Sequence, residues 1–211
     1  MKRTGVKLDL WVYGAAISAC GRKGRWREAV DLLEEAKATG IKPNTVVYSA
    51  AISACEKGFQ ASLALSLLQE MKSQRVRPNV VSYNSAIAAC QKAGRAKDAL
   101  ALLREMKGHG IKCTVITYSA AISACGKAGQ WERALELLEE MKASGVECNT
   151  IAYTAVISAC EKGGQWERAL LLLQELKISG LVCDARAYNA GMAACARGQF
   201  WRRALVLLDE M

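Results

Sequence analysis

The sequence predicts an all-α fold, an α–α superhelix (solenoid) of helix-turn-helix repeats, and three observations carry that expectation. All six tyrosines, Tyr13, Tyr48, Tyr83, Tyr118, Tyr153 and Tyr188, stand 35 residues apart. Six of the nine cysteines, Cys20, Cys55, Cys90, Cys125, Cys160 and Cys195, keep the same step. Within one period the apolar spacing is helical twice over. Tyr48, Ile52 and Cys55 lie at i, i+4 and i+7, then Ala64, Leu67, Leu68 and Met71 at i, i+3, i+4 and i+7. A fixed period of this size marks units that stack on their neighbours rather than separate globular domains.

In chain order, residues 1–9 form an N-terminal segment. The repeats then run 10–44, 45–79, 80–114, 115–149, 150–184 and 185–211, the last one truncated. Each starts with a helix whose end is marked by a break such as "EKGFQ" or "GKAGQ", where a Gly is expected to take the left-handed cap. The second helix ends at Gly40, Gly110, Gly145 and Gly180, with Arg75 in that place once. The recurring Ala29, Ala64, Ala99, Ala134, Ala169 and Ala204 permit close helix approach. Trp26, Trp131, Trp166 and Trp201 recur at the start of the second helix, where packing between repeats is expected. The array begins at once and stops inside a repeat, so the chain is expected to be a segment of something longer. Its first nine residues are too short for a cleavable targeting peptide. No apolar run approaches the ~18 residues of a membrane span.

Hydrophobic residues make up 52% of the chain and prolines number two, a composition able to bury a continuous core. Catalysis finds little support. The lone histidine, His109, sits in the "KGHGIK" turn with no second His, and no C-x-x-C spacing points to zinc. Glu56 and Glu161 are three repeats apart and cannot act as a pair. Six cysteines read as small buried hydrophobes, while Cys113, Cys148 and Cys183 take the place held elsewhere by Pro43 and Pro78. No disulfide framework, metal or cofactor is implied, and a reducing intracellular compartment is the consistent setting.

The net charge of +9 is unevenly spread. The first fifteen positions of the six repeats hold eight Lys or Arg against two acids, so first helices are positive and second helices near neutral. Six of these bases recur in phase: Arg22, Lys57, Lys92, Lys127, Lys162 and Arg197. A cation in the last turn of a helix gains ~0.3–1 kcal/mol from the helix dipole, which accounts for one of them. Six in a line repel one another unless an anion lies along them, and a phosphate backbone is such an anion.

The unit "VVSYNSAIAACQKAGRAKDALALLREMKGHGIKCT" (80–114) closely resembles the pentatricopeptide repeat of the P type, and all the repeats fit it in phase over residues 10–211. The carrying features are the Tyr followed by a small polar residue, the basic residue before Gly or Ala, the "ALxLLxEMK" second helix and the terminal "G(I/V)xPN". The resemblance implies single-stranded RNA binding, one base per repeat. The residue after the Tyr and the last residue of the repeat would form the reading pair. These pairs are Gly14 with Asn44, Ser49 with Asn79, Asn84 with Thr114, Ser119 with Asn149 and Thr154 with Asp184, and Asn189 has no partner. Thr154 and Asp184 are expected to face solvent. The positions two before each Tyr would hold the bases between repeats: Trp11, Val46, Val81, Ile116, Ile151 and, departing from the aliphatic pattern, Arg186. The basic column would bind phosphate. The family's pairing rules give, from the 5′ end, any base, A, pyrimidine, A and G.

By the same resemblance the partners are single-stranded RNA and other RNA-processing proteins, with no membrane, and the chain is a monomer without chemistry of its own. The setting is a mitochondrion or plastid, and the role lies in RNA processing, stability, editing or translation. Two alternatives stand beside it: a protein-binding helical-repeat scaffold, and the RNA-binding segment of a larger enzyme such as a nuclease or deaminase.

Overall fold

The computed structural model describes residues 9–211; the expected N-terminal segment therefore lies, except for Asp9, outside the described residues. The all-α expectation holds: the described residues form twelve helices and no strand. They are α1 (Leu10–Arg22), α2 (Trp26–Ala38), α3 (Thr45–Lys57), α4 (Ala61–Ser73), α5 (Val80–Lys92), α6 (Ala96–Gly108), α7 (Val115–Lys127), α8 (Trp131–Ala143), α9 (Thr150–Lys162), α10 (Trp166–Ile178), α11 (Ala185–Arg197) and α12 (Trp201–Asp209).

The odd-numbered helices start where a polar side chain receives an orphan backbone N–H. Asp9, Asn44, Asn79, Thr114, Asn149 and Asp184 each accept from the N–H three residues on. Such a cap contributes about 1 kcal/mol. No side chain caps α2, α4, α8, α10 or α12. Those helices are held by the face they bury, as in Ala61, Ala64, Leu67, Leu68 and Met71 of α4.

Contacts divide the described residues into two compact units, one up to residue 93 with 104–112, and the other 94–103 with 113–211. In the first, α1, α3 and α5 pack side by side, with α2 against α1 and α3, and α4 against α3 and α5. In the second, α7, α9 and α11 form the row, with α8 against α7 and α9, and α10 against α9 and α11. Two layers result in each unit. The core lies between them: Tyr48, Ile52, Cys55, Leu68 and Met71 in one, Ile122, Cys125, Leu138 and Met141 in the other. The alanines at positions 29, 64, 99, 134 and 169 are fully buried, which fits their expected role at close helix contacts.

One expectation fails at the "EKGFQ" break. Gly58 has φ −81°, and the left-handed residue is Phe59 at φ +59°. The glycine answers a different need, because a Cβ there would lie 2.1 Å from Cδ1 of Trp26. Gly163 accommodates Trp131 in the same way, and Gly198 accommodates Trp166, which also meets Phe200 at a ring separation of 4.6 Å. The expected packing between repeats is thus seen for these three tryptophans, whereas Trp201 is exposed. Arg75 does adopt the left-handed conformation, φ +57°, in the place that glycine holds at 40, 110, 145 and 180.

Candidate nucleic-acid interface

On a helix, residues at i, i+3, i+7 and i+11 share one face. Val46, Ser49, Ser53 and Lys57 have that spacing on α3, and the same offsets recur on the other odd-numbered helices. The helix thereby puts an apolar side chain, a small polar one and a cation in a line without any tertiary contact being needed.

The apolar members are exposed where burial would gain ~1.5–3 kcal/mol each. Trp11 is 79% exposed, Val46 63%, Val81 53%, Ile116 65% and Ile151 52%. Arg186, in the same column, is exposed and directs Nε and a terminal nitrogen at Oδ2 of Asp184, 3.1 and 3.0 Å away.

The reading candidates sit beside these. Ser49, Ser119 and Thr154 are buried, and each donates to the cap of the next odd-numbered helix: to Asn79 at 3.3 Å, to Asn149 at 3.1 Å and to Asp184 at 3.4 Å. Two residues 30 apart in sequence are thereby joined. The expectation that Thr154 faces solvent is not met. It is 8% exposed, because Asp184 turns back over it to cap α11, and Asp184 itself is only half-exposed. Burial alone would raise the Asp184 carboxyl. The Ala187 N–H, the Arg186 guanidinium and the Thr154 hydroxyl outweigh it and hold the pKa below the ordinary value. Gly14 is buried and offers no side chain beside Asn44. Asn84 lies half-buried on α5, Thr114 caps α7, and Asn189 is exposed on α11.

In the first unit the column closes into clefts. One of about 360 Å³ is lined by Arg22, Val46, Ser49, Ser53, Lys57, Asn79 and Val81, which include an apolar pair, a polar pair and two cations. Another, of about 600 Å³, is lined by Trp11, Gly14, Asn44 and Val46, the missing Gly14 side chain leaving it wider. Both volumes suit small flat ligand groups.

The basic column is not uniform. Lys92 is held by Glu56 at 2.5 Å, and Arg197 by Glu161 at 2.8 Å. Arg22, Lys57, Lys127 and Lys162 are exposed and make no ion pair among the described residues. Glu56 and Glu161 therefore serve as anchors for a cation of the next repeat. His109 is likewise engaged, its Nδ1 3.0 Å from the Tyr83 hydroxyl. Burial pushes the Cys55, Cys125 and Cys160 thiols up to about 11, so they stay protonated at neutral pH.

The tyrosines have a role that the sequence reading missed. Tyr48, Tyr83 and Tyr153 donate to Glu70, Glu105 and Glu175 at 2.7, 2.9 and 2.8 Å. The same carboxylates take the ammonium groups of Lys37, Lys72 and Lys142 from the preceding even-numbered helix. The signal was the 35-residue step of those glutamates and lysines, which a count of net charge cancels out.

Models of the pentatricopeptide repeat match at residues 8–57 and 115–162 (PPR repeat family), 66–128 (pentatricopeptide repeat domain), and 46–76 and 151–181 (PPR repeat), without a gap from 8 to 181. The chain belongs to the pentatricopeptide repeat family. Among solved structures it is similar to the pentatricopeptide repeat protein PPR10 from maize, 30% identical with a TM-score of 0.71 over 100% of this chain. PPR10 in complex with an 18-nt psaJ RNA element is 28% identical with a TM-score of 0.68 over 99% of this chain. The chain spans about 30% of the length of PPR10. The PPR domain of the Arabidopsis thaliana protein-only RNase P 1, in complex with tRNA, shares the fold at 18% identity, TM-score 0.73, covering 83% of this chain and 92% of that one. No match arises among curated proteins.

Proposed function

We propose that this chain binds single-stranded RNA along the odd-numbered helices, one base per repeat, with no chemistry of its own. The observation that carries the reading is the helix face on which an exposed apolar side chain and a cation recur at fixed spacing. The cation is unpaired at Arg22, Lys57, Lys127 and Lys162, and a hydrogen-bonded polar pair lies beside it at Ser49 with Asn79, Ser119 with Asn149 and Thr154 with Asp184. Each has a distinct use. Val46 and Val81 offer apolar surface to the two faces of a base. Ser49 and Asn79 offer hydrogen-bonding groups to its edge. Lys57 offers charge to the phosphate. The likeness to PPR10, whose structure with an RNA element shares this fold at 28% identity, supports the same class of ligand. Family membership supports an organellar transcript as the target, in a mitochondrion or plastid, with binding serving RNA processing, stability, editing or translation.

Base order gives the test. A short RNA carrying AYAG from 5′ to 3′ should compete for the chain better than the reversed sequence, measured by fluorescence anisotropy at fixed salt. Equal competition would mean that these pairs do not read bases. Loss of all RNA binding would remove the function.

A further inference from the structure

Three asparagines cap odd-numbered helices, and their side-chain oxygens are held to different degrees. Asn44 Oδ1 accepts the Val47 N–H at 3.1 Å. Asn149 Oδ1 accepts the Ala152 N–H at 2.9 Å and the Ser119 hydroxyl at 3.1 Å. Asn79 Oδ1 accepts the Ser82 N–H at 2.9 Å, the Ser82 hydroxyl at 2.9 Å and the Ser49 hydroxyl at 3.3 Å. Ser82 is fully buried, its Oγ also accepts the Asn79 N–H at 3.1 Å, and it lies 2.9 Å from Ser49 Oγ. Ser49–Asn79 and Ser119–Asn149 are chemically the same pair, and the side chain that touches the cap differs in the residue before the next Tyr: Ser82 in one, Ala152 in the other.

We propose that Ser82 is a positioning residue for base choice in the second repeat, fixing the Asn79 amide with its oxygen inward and its NH2 outward. The inference rests on the base-reading function proposed above. An outward NH2 serves a ring nitrogen that is a bare acceptor, as in adenine or cytosine; guanine and uracil carry a proton there. To accept that proton Asn79 would have to turn Oδ1 outward and give up the Ser82 N–H and hydroxyl bonds together with its share of the Ser49 proton, where Asn149 would give up the Ala152 N–H and the Ser119 hydroxyl. The hydroxyl protons reinforce this. Ser49 and Ser82 have one each, and both are used within the triangle they form with Asn79 Oδ1, leaving Ser49 to face a ligand with a lone pair. A lone pair suits the exocyclic amine of adenine. The second repeat is thus a stricter reader of adenine over guanine than the fourth, although the two carry the same pair.

The experiment uses the whole chain and RNAs with A or G opposite the second or the fourth repeat. In Ser82→Ala the preference for A at the second position should fall roughly threefold to tenfold, the worth of about one hydrogen bond. The fourth position should be unmoved. Ser82→Thr should keep the preference, since Thr117 makes the corresponding contacts with Thr114. Ala152→Ser should raise the preference at the fourth position by a similar factor. If Ser82→Ala lowers both positions alike, or lowers only the melting temperature, Ser82 is a helix cap and the proposal fails. A wild-type preference at both positions that ignores Ser82 and Ala152 overturns the proposal but leaves base reading standing. Absence of any preference in the wild type overturns both.

Discussion

Lys37, Lys72 and Lys142, on the even-numbered helices, each end against a glutamate of the following hairpin, whereas Lys57, Lys127 and Lys162, on the odd-numbered helices, end in solvent. The same contrast holds for apolar side chains. Leu68 and Met71 are buried, while Val46 and Val81 are more than half exposed. At these positions the even-numbered helices close charge and hydrocarbon within the fold and link successive hairpins. The face of the odd-numbered helices that carries Val46, Val81 and the unpaired lysines leaves both open at regular intervals. Interactions that are satisfied internally account for the fold, and those left unsatisfied in a repeating line are what a repeating ligand can complete.

The contrast breaks most visibly if the open charges prove idle. Changing Lys57, Lys127 and Lys162 together to Ala should lower RNA affinity roughly a hundredfold at 0.1 M salt and flatten the slope of log affinity against log salt by about 2, at ~0.7 per phosphate for a single strand. Melting temperature should hardly move. Lys92 and Arg197, already engaged by Glu56 and Glu161, should contribute less than the other three when changed singly. An unchanged salt slope in the triple variant would reduce the column to helix-dipole compensation.

A smaller effect tests the polar pair of the fifth repeat. Guanine presents two donors and one acceptor, matched by the Asp184 carboxylate and the Thr154 hydroxyl. Uracil's two acceptors around one donor suit an amide beside the same carboxylate. Thr154→Asn should shift that repeat from G toward U by about tenfold, on the scale of ~1–3 kcal/mol per good base contact. Because Thr154 is buried, the variant's fold must be checked by circular dichroism. A folded variant with unmoved preference would show that Thr154 does not read RNA.

Most of the fold was legible in the sequence, because helix spacing and a strict period survive any tertiary context. The parts that were not legible depend on partners from another repeat. Gly58 invites a left-handed reading until Trp26 is seen to fill its Cβ position. The burial of Ser49 and Thr154 follows from caps belonging to the next helix. The pairing of Lys92 and Arg197 had a visible cue, since Glu56 and Glu161 each precede them by 36 residues, but a count of net charge discards it.

The closed layer should reveal itself in acid. Burial would raise the Glu105 and Glu175 carboxyls, yet the hydrogen bonds from Lys72 and Tyr83, and from Lys142 and Tyr153, outweigh it and hold both below the ordinary value. The unfolded chain therefore binds more protons as pH falls below the ordinary carboxylate range near ~4.3. The stabilisation is fully present above that range and is lost as pH drops through the depressed native values. Melting temperature should fall as pH drops below about 4.5. Tyr83→Phe should cost about 1 kcal/mol at pH 7 and less in acid, by urea denaturation. RNA affinity at neutral pH should be unaffected, and a matching loss of affinity would blur the division between the layers.

The smallest test concerns the backbone at Arg75. Its φ of +57° costs a residue with a Cβ about 1–2 kcal/mol, a cost that glycine at 40, 110, 145 and 180 avoids. Glycine loses more chain entropy on folding, which offsets part of the gain. The exposed Arg75 side chain makes no hydrogen bond or ion pair among the described residues, so no polar contact is forfeited. Arg75→Gly should therefore stabilise the chain by about 0.5–1 kcal/mol in urea denaturation and leave RNA binding unchanged. Phe59, at φ +59°, is the control in the opposite direction, because the Lys92 ammonium lies 5.0 Å from the centre of its ring. Phe59→Gly relieves the same strain and discards that contact, worth ~0.5–1 kcal/mol at an exposed site, so its net gain should be near zero. If the two variants gain equally, the Lys92–Phe59 contact contributes nothing. If Arg75→Gly gains nothing, left-handed strain is not what separates this turn from its glycine-bearing counterparts.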